Sequence, residues 1–248
     1  MKVNTELHIH SCASPCGSLE MSPRRIAKEA RKRNIRLIAL TDHNTARNAP
    51  AFSVCCRKEG ISGIYGLEVT SREEAHILTL FAELDAAREM GEKVEGSLPD
   101  LTRSPSPFGD QVYVDEDENI LGEIPKSLFS ATELSSEDIL EAAHTLGGLV
   151  VPSHIDRPMF SIVIQLGFLP DLPFDAVECI SPSCGGSTDT RGIPVITNSD
   201  AHYPEDIGTR YSTFEMEEPS FEGLREALRK LKEHSADAQE PWPGPGVL

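Results

Sequence analysis

Four short histidine-bearing clusters each close an apolar run in this chain: His8-Ile9-His10, Thr41-Asp42-His43-Asn44, Pro152-Ser153-His154-Ile155-Asp156 and Asn198-Ser199-Asp200-Ala201-His202. Glu68, His76 and Glu178 end or begin similar runs, so six of the eight histidines sit where a strand hands over to a loop. A buried strand should not end in bare imidazoles and carboxylates unless they are paired or ligated. In parallel α/β folds that edge is where ligands bind and active sites are built. Mixed imidazoles and carboxylates at one edge read as a metal centre with more than one ion. Such ligands around open coordination positions point to a hydrolase.

The segments between the clusters alternate as an α/β fold requires. Residues 7–10 close a short strand. Ser22-Pro23 supplies an N-cap followed by proline at the first helical position, opening an amphipathic helix over 24–33. Residues 35–41 form a continuous apolar strand, as expected when both faces are covered. A helix is expected over 49–59, and strands over 61–69 and 76–81. From about 85 to 135 the alternation breaks, with Gly91, Gly96, Pro99, Pro105, Pro107, Gly109 and an acidic run at 115–118. That stretch is too long for a simple connection and reads as an insertion or lid, ordered and partly helical. Regularity returns with a helix over 136–146 that opens on Ser136 and ends at Gly147-Gly148. Further strands are expected at 149–152, 176–180, 194–197 and 211–215, with helices at 159–166 and 221–231. The unit spans 1–235, and 236–248 reads as a flexible tail rich in proline and glycine. A closed eight-fold barrel would be tight, so a smaller or distorted barrel fits better.

Composition narrows the partners. The 248 residues carry a net charge of −17. So acidic a chain repels phosphate backbones, which makes a small phosphorylated molecule the expected partner and a long nucleic acid an unexpected one. No apolar stretch approaches the ~18 residues of a membrane span. The apolar pattern starts close behind Met1, so no signal peptide is expected. Cys12, Cys16, Cys55, Cys56, Cys179 and Cys184 match no disulfide framework, and mostly free thiols in a reducing cytoplasm are expected.

Each cluster has its own chemistry. His8 and His10 point to the same side of a strand, with Ile9 opposite, and can hold one metal together. His43 reads as a ligand, although Asp42 and Asn44 are also good turn residues. Asp42 could equally orient an imidazole. Glu68, an acid inside an apolar run, could bridge two cations or face solvent on an edge strand. Asp200 and His202 form D-x-H, again two ligands on one side. Glu178 could support a ligand or pair with an arginine. His144 and His234 are expected to be solvent-exposed.

The residues resemble the PHP family, the polymerase and histidinol phosphatase superfamily. The resemblance rests on H-x-H at His8/His10, T-D-H at Asp42/His43, Glu68, His76, His154 and S-D-A-H at Asp200/His202, and spans about residues 5 to 208. It implies a distorted (β/α)7 barrel, here with an inserted segment. It implies two or three divalent ions (zinc, manganese or iron) held by His8, His10, His43, Glu68, His76, His154, Asp200 and His202. Glu68 would be the bridging carboxylate, and Glu68, Asp200 and His202 would carry the chemistry. Many members have one more Asp or His shortly after H-x-H. Here the chain departs, reading Ser14-Pro15-Cys16-Gly17-Ser18-Leu19-Glu20, so Cys16 and Glu20 are the candidates.

The expected reaction is hydrolysis of a phosphate ester by metal-activated water, with Arg157 first and Arg47 second as phosphate-binding side chains. The expected substrate is a small phosphorylated metabolite, histidinol phosphate being one candidate among many. The alternatives are a phosphodiesterase or exonuclease on nucleotides or short RNA ends, and a non-catalytic metal-binding accessory module. Amidohydrolase-type chemistry is disfavoured, because no lysine lies at a comparable strand end.

Overall fold

The computed structural model describes residues 1–100, 109–181, 184 and 189–237. The tail expected over 236–248 lies, from 238 onward, outside the described residues.

Six strands form one sheet in the order β10-β1-β2-β3-β4-β7. They are β1 (Lys2–Glu6), β2 (Leu37–Leu40), β3 (Ser62–Thr70), β4 (His76–Phe81), β7 (Leu149–Pro152) and β10 (Ser212–Glu215). The helices α1 (Pro23–Lys32) and α2 (Ala49–Glu59) make the crossovers from β1 to β2 and from β2 to β3. Those three strands are parallel, as β-α-β connections require. Local chemistry sets the helix starts. Ser22 accepts a hydrogen bond from the Arg25 amide ahead of α1. Ser135 and Asp138 form a reciprocal capping box at α4 (Ser136–Thr145).

The alternation fails at one place that matters. β3 and β4 are joined by a short turn closed by Ser71 N–H to Ala75 O, so they run antiparallel. Thr70 at the end of β3 therefore pairs with His76 at the start of β4. His76 reaches the same edge as the other ligands because its strand runs the opposite way.

The sheet curls into a half-barrel, the distorted α/β barrel expected from the sequence. Two short strands, β8 (Val177–Glu178) and β9 (Val195–Ile196), continue the curl. Asp175 N–H to Val150 O and Ile155 N–H to Glu178 O lay β8 beside β7. Ala201 forms an isolated parallel bridge with Ile9, which ties the chain after β9 back to β1.

Alternation along the strands sorts the core. Leu37 and Ala39 join the interior cluster with Ile64, Leu78, Leu80 and Val151, closed at one end by Phe221, Leu224 and Leu228 of α6 (Phe221–Asp237). Ile38 and Leu40 face outward into the cluster under α1 and α2. Glu68 shares a face with Ile64, and His76 with Leu78 and Leu80. The apolar interior therefore runs directly into the polar mouth.

The stretch expected as an excursion from about 85 begins as a regular layer helix. α3 (Leu84–Gly96) buries Ala87, Met90 and Val94 in the main core. The excursion proper follows it, with the hairpin of β5 (Val112–Val114) and β6 (Ile120–Glu123). A satellite cluster of Ala13, Leu98, Ile124 and Leu128 holds it against the loop after β1. Beyond β7, the helix expected over 159–166 is shorter, α5 (Ile162–Leu166), starting after Ser161, whose backbone is extended and whose Oγ donates to Ile155 O at 2.6 Å.

Most cysteines are expected from the sequence to be free, and one pair departs from that. Cys179 and Cys184 form a disulfide, while Cys12, Cys16, Cys55 and Cys56 are free. The pair is five residues apart and closes a local loop, a geometry that cysteine counting does not reveal. His144 is also not simply exposed, since its Nε2 lies 3.0 Å from Asp175 Oδ2.

Candidate metal centre

The strand ladders deliver the first ligands. The β2–β3 pairing continues past its regular end: Glu68 N–H donates to Asp42 O and Asn44 N–H to Glu68 O. That places His43 beside Glu68, with His43 Nδ1 3.2 Å from Glu68 Oε2. Glu68 is 1% exposed and lies at the centre of the cluster. Its Oε1 sits 3.1 Å from His76 Nδ1, 3.2 Å from His154 Nε2 and 3.3 Å from His8 Nε2. Its Oε2 faces His43 and, at 3.4 Å, His10 Nε2. Asp200 Oδ1 lies 3.3 Å from His8 Nε2 and 3.2 Å from His10 Nε2.

Several of these atoms have no hydrogen-bond partner: His43 Nδ1, Glu68 Oε1, His76 Nδ1 and His154 Nε2. Burying so many polar atoms without partners is costly, and their convergence is the arrangement a set of cations relieves. Three groups of donors lie within 4.8 Å of one another: His8, His10, Glu68 and Asp200; His43, Glu68 and His76; and His10, Cys16, His43 and His202. The residues fit a multinuclear centre of divalent ions.

The charge balance agrees. Burial pushes the Glu68 carboxyl up, but His76, His8 and His43 hold it well below its usual range. Burial also opposes ionisation of Asp200, yet His8 and His10 keep it well below the usual carboxylate range. Burial lowers His8, and the carboxylates of Glu178, Glu68 and Asp200 outweigh that and raise it well above its ordinary value. Carboxylates packed this closely call for positive charge between them. His43, by contrast, is pushed well below its ordinary value by burial.

A second layer orients the ligands. Glu178 takes His8 Nδ1 at 3.0 Å on both oxygens and accepts the His154 amide at 2.9 Å. A proton on His8 Nδ1 leaves Nε2 free to face the centre. Asp42 accepts from Ser11 N–H, Ser11 Oγ and Ser14 Oγ at 2.6, 2.6 and 2.7 Å. Ser14 Oγ in turn sits 3.0 Å from His10 Nδ1 and accepts the His43 amide. Asp42 thus anchors the loop and belongs to none of the donor groups. Ser14 was missed in the sequence, where nothing distinguishes it from a loop serine. Glu6 was missed too, because β1 reads Lys2-Val3-Asn4-Thr5-Glu6 and an acid at the end of so polar a strand carries no signal. It is fully buried, accepts from Ser199 N–H and Gly208 N–H, and burial pushes its carboxyl up to about 8.

His154 and Asp200 hold positive φ angles of 32° and 56°. Such backbone strain in residues other than glycine concentrates at functional sites. His202 donates from Nδ1 to Asp200 O at 2.7 Å and stacks on His10 with ring centroids 4.5 Å apart. Arg157 donates to Asp200 Oδ2 at 2.8 Å and leaves 40% of its side chain exposed. Arg47 turns elsewhere: it pairs with Glu95 and lies over the Tyr113 ring. Glu20 is exposed, outside every donor group, because the turn at 14–18 brings Cys16 to the mouth and leaves Glu20 beyond it.

Residues 6–95 match the PHP domain family and residues 188–232 the PHP-associated family. The chain belongs to the PHP superfamily. The sequence expectation of a hydrolase acting on phosphoester bonds agrees with that placement. An uncharacterized protein of Methanocaldococcus jannaschii is 33% identical over 92 residues, covering 34% of this PHP chain and 53% of that protein. Endonuclease Q of Pyrococcus furiosus superposes with a TM-score of 0.69 at 23% identity, over 93% of this chain and 56% of its own. An Endonuclease Q complex with a 27-mer duplex carrying an abasic lesion gives 0.67 at 24%, over 93% and 57%. A chain described as a metal-dependent phosphoesterase of Bifidobacterium adolescentis gives 0.61 at 17%, over 91% and 96%. At these identities the structural likenesses bear on the fold. The PHP chain spans about half the length of the M. jannaschii protein and of the Endonuclease Q chains.

One expectation is overturned here. A long nucleic acid was disfavoured on net charge, yet a chain of the same fold is seen with a DNA duplex as substrate. Whole-chain charge is an average, whereas phosphate recognition depends on the local field, which bound cations dominate. Among the described residues no helix is long and apolar enough to cross a membrane.

Proposed function

We propose that this chain hydrolyses phosphate esters at a centre of two or three divalent ions. The observation that carries the reading is Glu68, whose two oxygens lie 3.1–3.4 Å from nitrogens of five imidazoles. A buried carboxylate so surrounded is suited to bridge cations. The ions, when bound, supply an activated water and neutralise charge on the phosphoryl oxygens.

The side chains do the rest. With Glu68 between them, His8, His10 and Asp200 would hold one ion and His43 and His76 another, and His154 also faces Glu68. Glu178 keeps the His8 and His154 segments in place. The Arg157 guanidinium, on the open side, binds a phosphoryl oxygen and orients the ester. Closely set, buried ligands exclude bulk water and strengthen each of these interactions.

The substrate class favoured by the recessed centre, with Arg157 beside it, is a small phosphorylated metabolite. Its ligands are 0–8% exposed apart from His202, so only a small group reaches the ions. The likeness to Endonuclease Q favours a second reading, cleavage of a phosphodiester in a nucleic acid.

Turnover of an aryl monoester, a bis-aryl diester and an abasic-site duplex by the manganese-loaded chain, with Asp200→Asn as control, tests the proposal. Monoester turnover lost in the control supports the metabolite reading. Cleavage of the diester or duplex supports the second. No turnover of any of the three by a metal-loaded chain counts against both.

A further inference from the structure

Cys16 stands where the chain departs from the family pattern, and the structure gives it company. One donor atom each of Cys16, His10, His43 and His202 lies within 4.8 Å of the others. His10 Nε2 already faces Glu68 and Asp200 at 3.4 and 3.2 Å. The remaining set is one sulfur and two imidazoles; His43, whose Nδ1 also faces Glu68 Oε2 at 3.2 Å, is shared with the carboxylate group, while Cys16 and His202 are not part of that group. We propose that Cys16, His43 and His202 form a thiolate site for a thiophilic divalent cation of the zinc class, chemically distinct from the carboxylate-bridged sites around Glu68. The inference rests on the metal-centre reading above and adds to it the identity of one ligand and the selectivity it confers.

The loop is built to aim this sulfur. Ser14 N–H donates to Ser11 O at 3.1 Å and Gly17 N–H to Ser14 O at 2.9 Å, two successive tight turns. A Cβ at Gly17 would sit 2.4 Å from Ser11 O, so only glycine lets the chain turn directly behind Cys16. Ser18 N–H donates to His202 O at 2.9 Å, pinning the cysteine loop to the segment that carries His202. Ser14 Oγ accepts the His43 amide at 3.0 Å, pinning it to the third ligand. All three segments are thereby fixed to one another, one link running through backbone and the other through the Ser14 hydroxyl. The other free thiols, Cys12, Cys55 and Cys56, belong to no donor group among the described residues.

Ligand softness gives the consequence. Thiolate and imidazole donors favour zinc over manganese or magnesium, whereas the sites built on Glu68 and Asp200 accept harder ions. Three protein ligands with an open position is also a geometry zinc readily takes. The centre is therefore heterogeneous, with one cation that differs from its neighbours in affinity and exchange.

Cobalt(II) loading of the intact chain tests this without any turnover assay. No thiol reductant is used, so the Cys179–Cys184 pair stays closed. The readouts are bound ions per chain and the near-ultraviolet sulfur-to-cobalt charge-transfer band. The expected result is a band in the parent chain that disappears in Cys16→Ser, with loss of one ion per chain. Cys16→Asp then restores the ion without the band and raises the share of manganese retained in competition with zinc. Circular dichroism establishes that each variant is folded. A band that survives in folded Cys16→Ser, or an ion count that does not change, overturns the proposal. A parent chain that binds ions but shows no band overturns this inference alone, whereas one that binds none overturns the metal-centre reading itself.

Discussion

The two halves of the barrel mouth hold their ligands by different means. From β1 to β4 the sheet does the work: His43, Glu68 and His76 sit on or just past paired strands, and ladder hydrogen bonds continue through them. Beyond β7, β8 and β9 shrink to two residues each, and His154, Asp200 and His202 sit on loops. There buried carboxylates replace the ladder. Glu178 accepts the His154 amide and holds Asn198 through its Nδ2 at 2.8 Å. Glu6 accepts Ser199 N–H and Gly208 N–H on either side of Asp200 and His202. The half-buried Asp156 also accepts Ile180 N–H and Ser181 N–H at 2.9 and 2.7 Å. A sheet places a ligand through many weak, redundant bonds, while a single acidic side chain places one through two or three bonds that one substitution removes.

If that contrast is right, the largest effect comes from the ligand both halves share. Glu68→Gln is expected to reduce turnover to background and to lower the number of bound ions, which metal analysis of the purified variant reads. Retention of the full metal complement would remove Glu68 from its bridging role.

Glu178→Gln comes next. It leaves the sheet intact but weakens the hold on His8 and His154, so metal affinity or turnover should fall about 10–100-fold, the range for partners of metal-bound histidines. Titration with chelator measures the affinity. An equal loss from Ser14→Ala would show the first half depending as much on single side chains, and would erase the contrast.

Glu6→Ala strands two backbone amides, at a cost of about 1–3 kcal/mol for each buried group left unpaired. Denaturant midpoints read the loss. Glu6 also sets a pH dependence. Its folded value of about 8 lies above the ordinary 4.5, so the folded state holds the proton more tightly between the two. The contribution is fully present below 4.5 and is lost as pH rises through about 8. In Glu6→Gln this part of the stability–pH slope should vanish, and an unchanged slope would assign it to other groups.

The smallest effects lie far from the mouth. Ser135→Ala removes a capping box and should cost about 1 kcal/mol with turnover unchanged, read by thermal melting. Arg229 on α6 pairs with Glu226 and Glu233 in solvent, and Arg229→Ala should leave both stability and turnover as they are.

The sequence by itself pointed to the strand ends, the capped helices and the histidines and acids that converge at the mouth. Its signals were local: apolar runs closed by histidines, a Ser-Pro helix start, an acid within a strand. It also pointed to Cys16, by showing that the usual oxygen or nitrogen ligand was missing. Only the tertiary structure decided which of Cys16 and Glu20 meets the imidazoles, since a few residues of loop can turn either way. It also decided that Arg47 turns to Glu95 while Arg157 faces the centre, and that Cys179 and Cys184 pair. The roles of Glu6, Ser14 and Glu178 belong to this second kind. Each acts across 20 to nearly 200 residues of chain on a backbone amide, and an amide carries no side-chain signature to read.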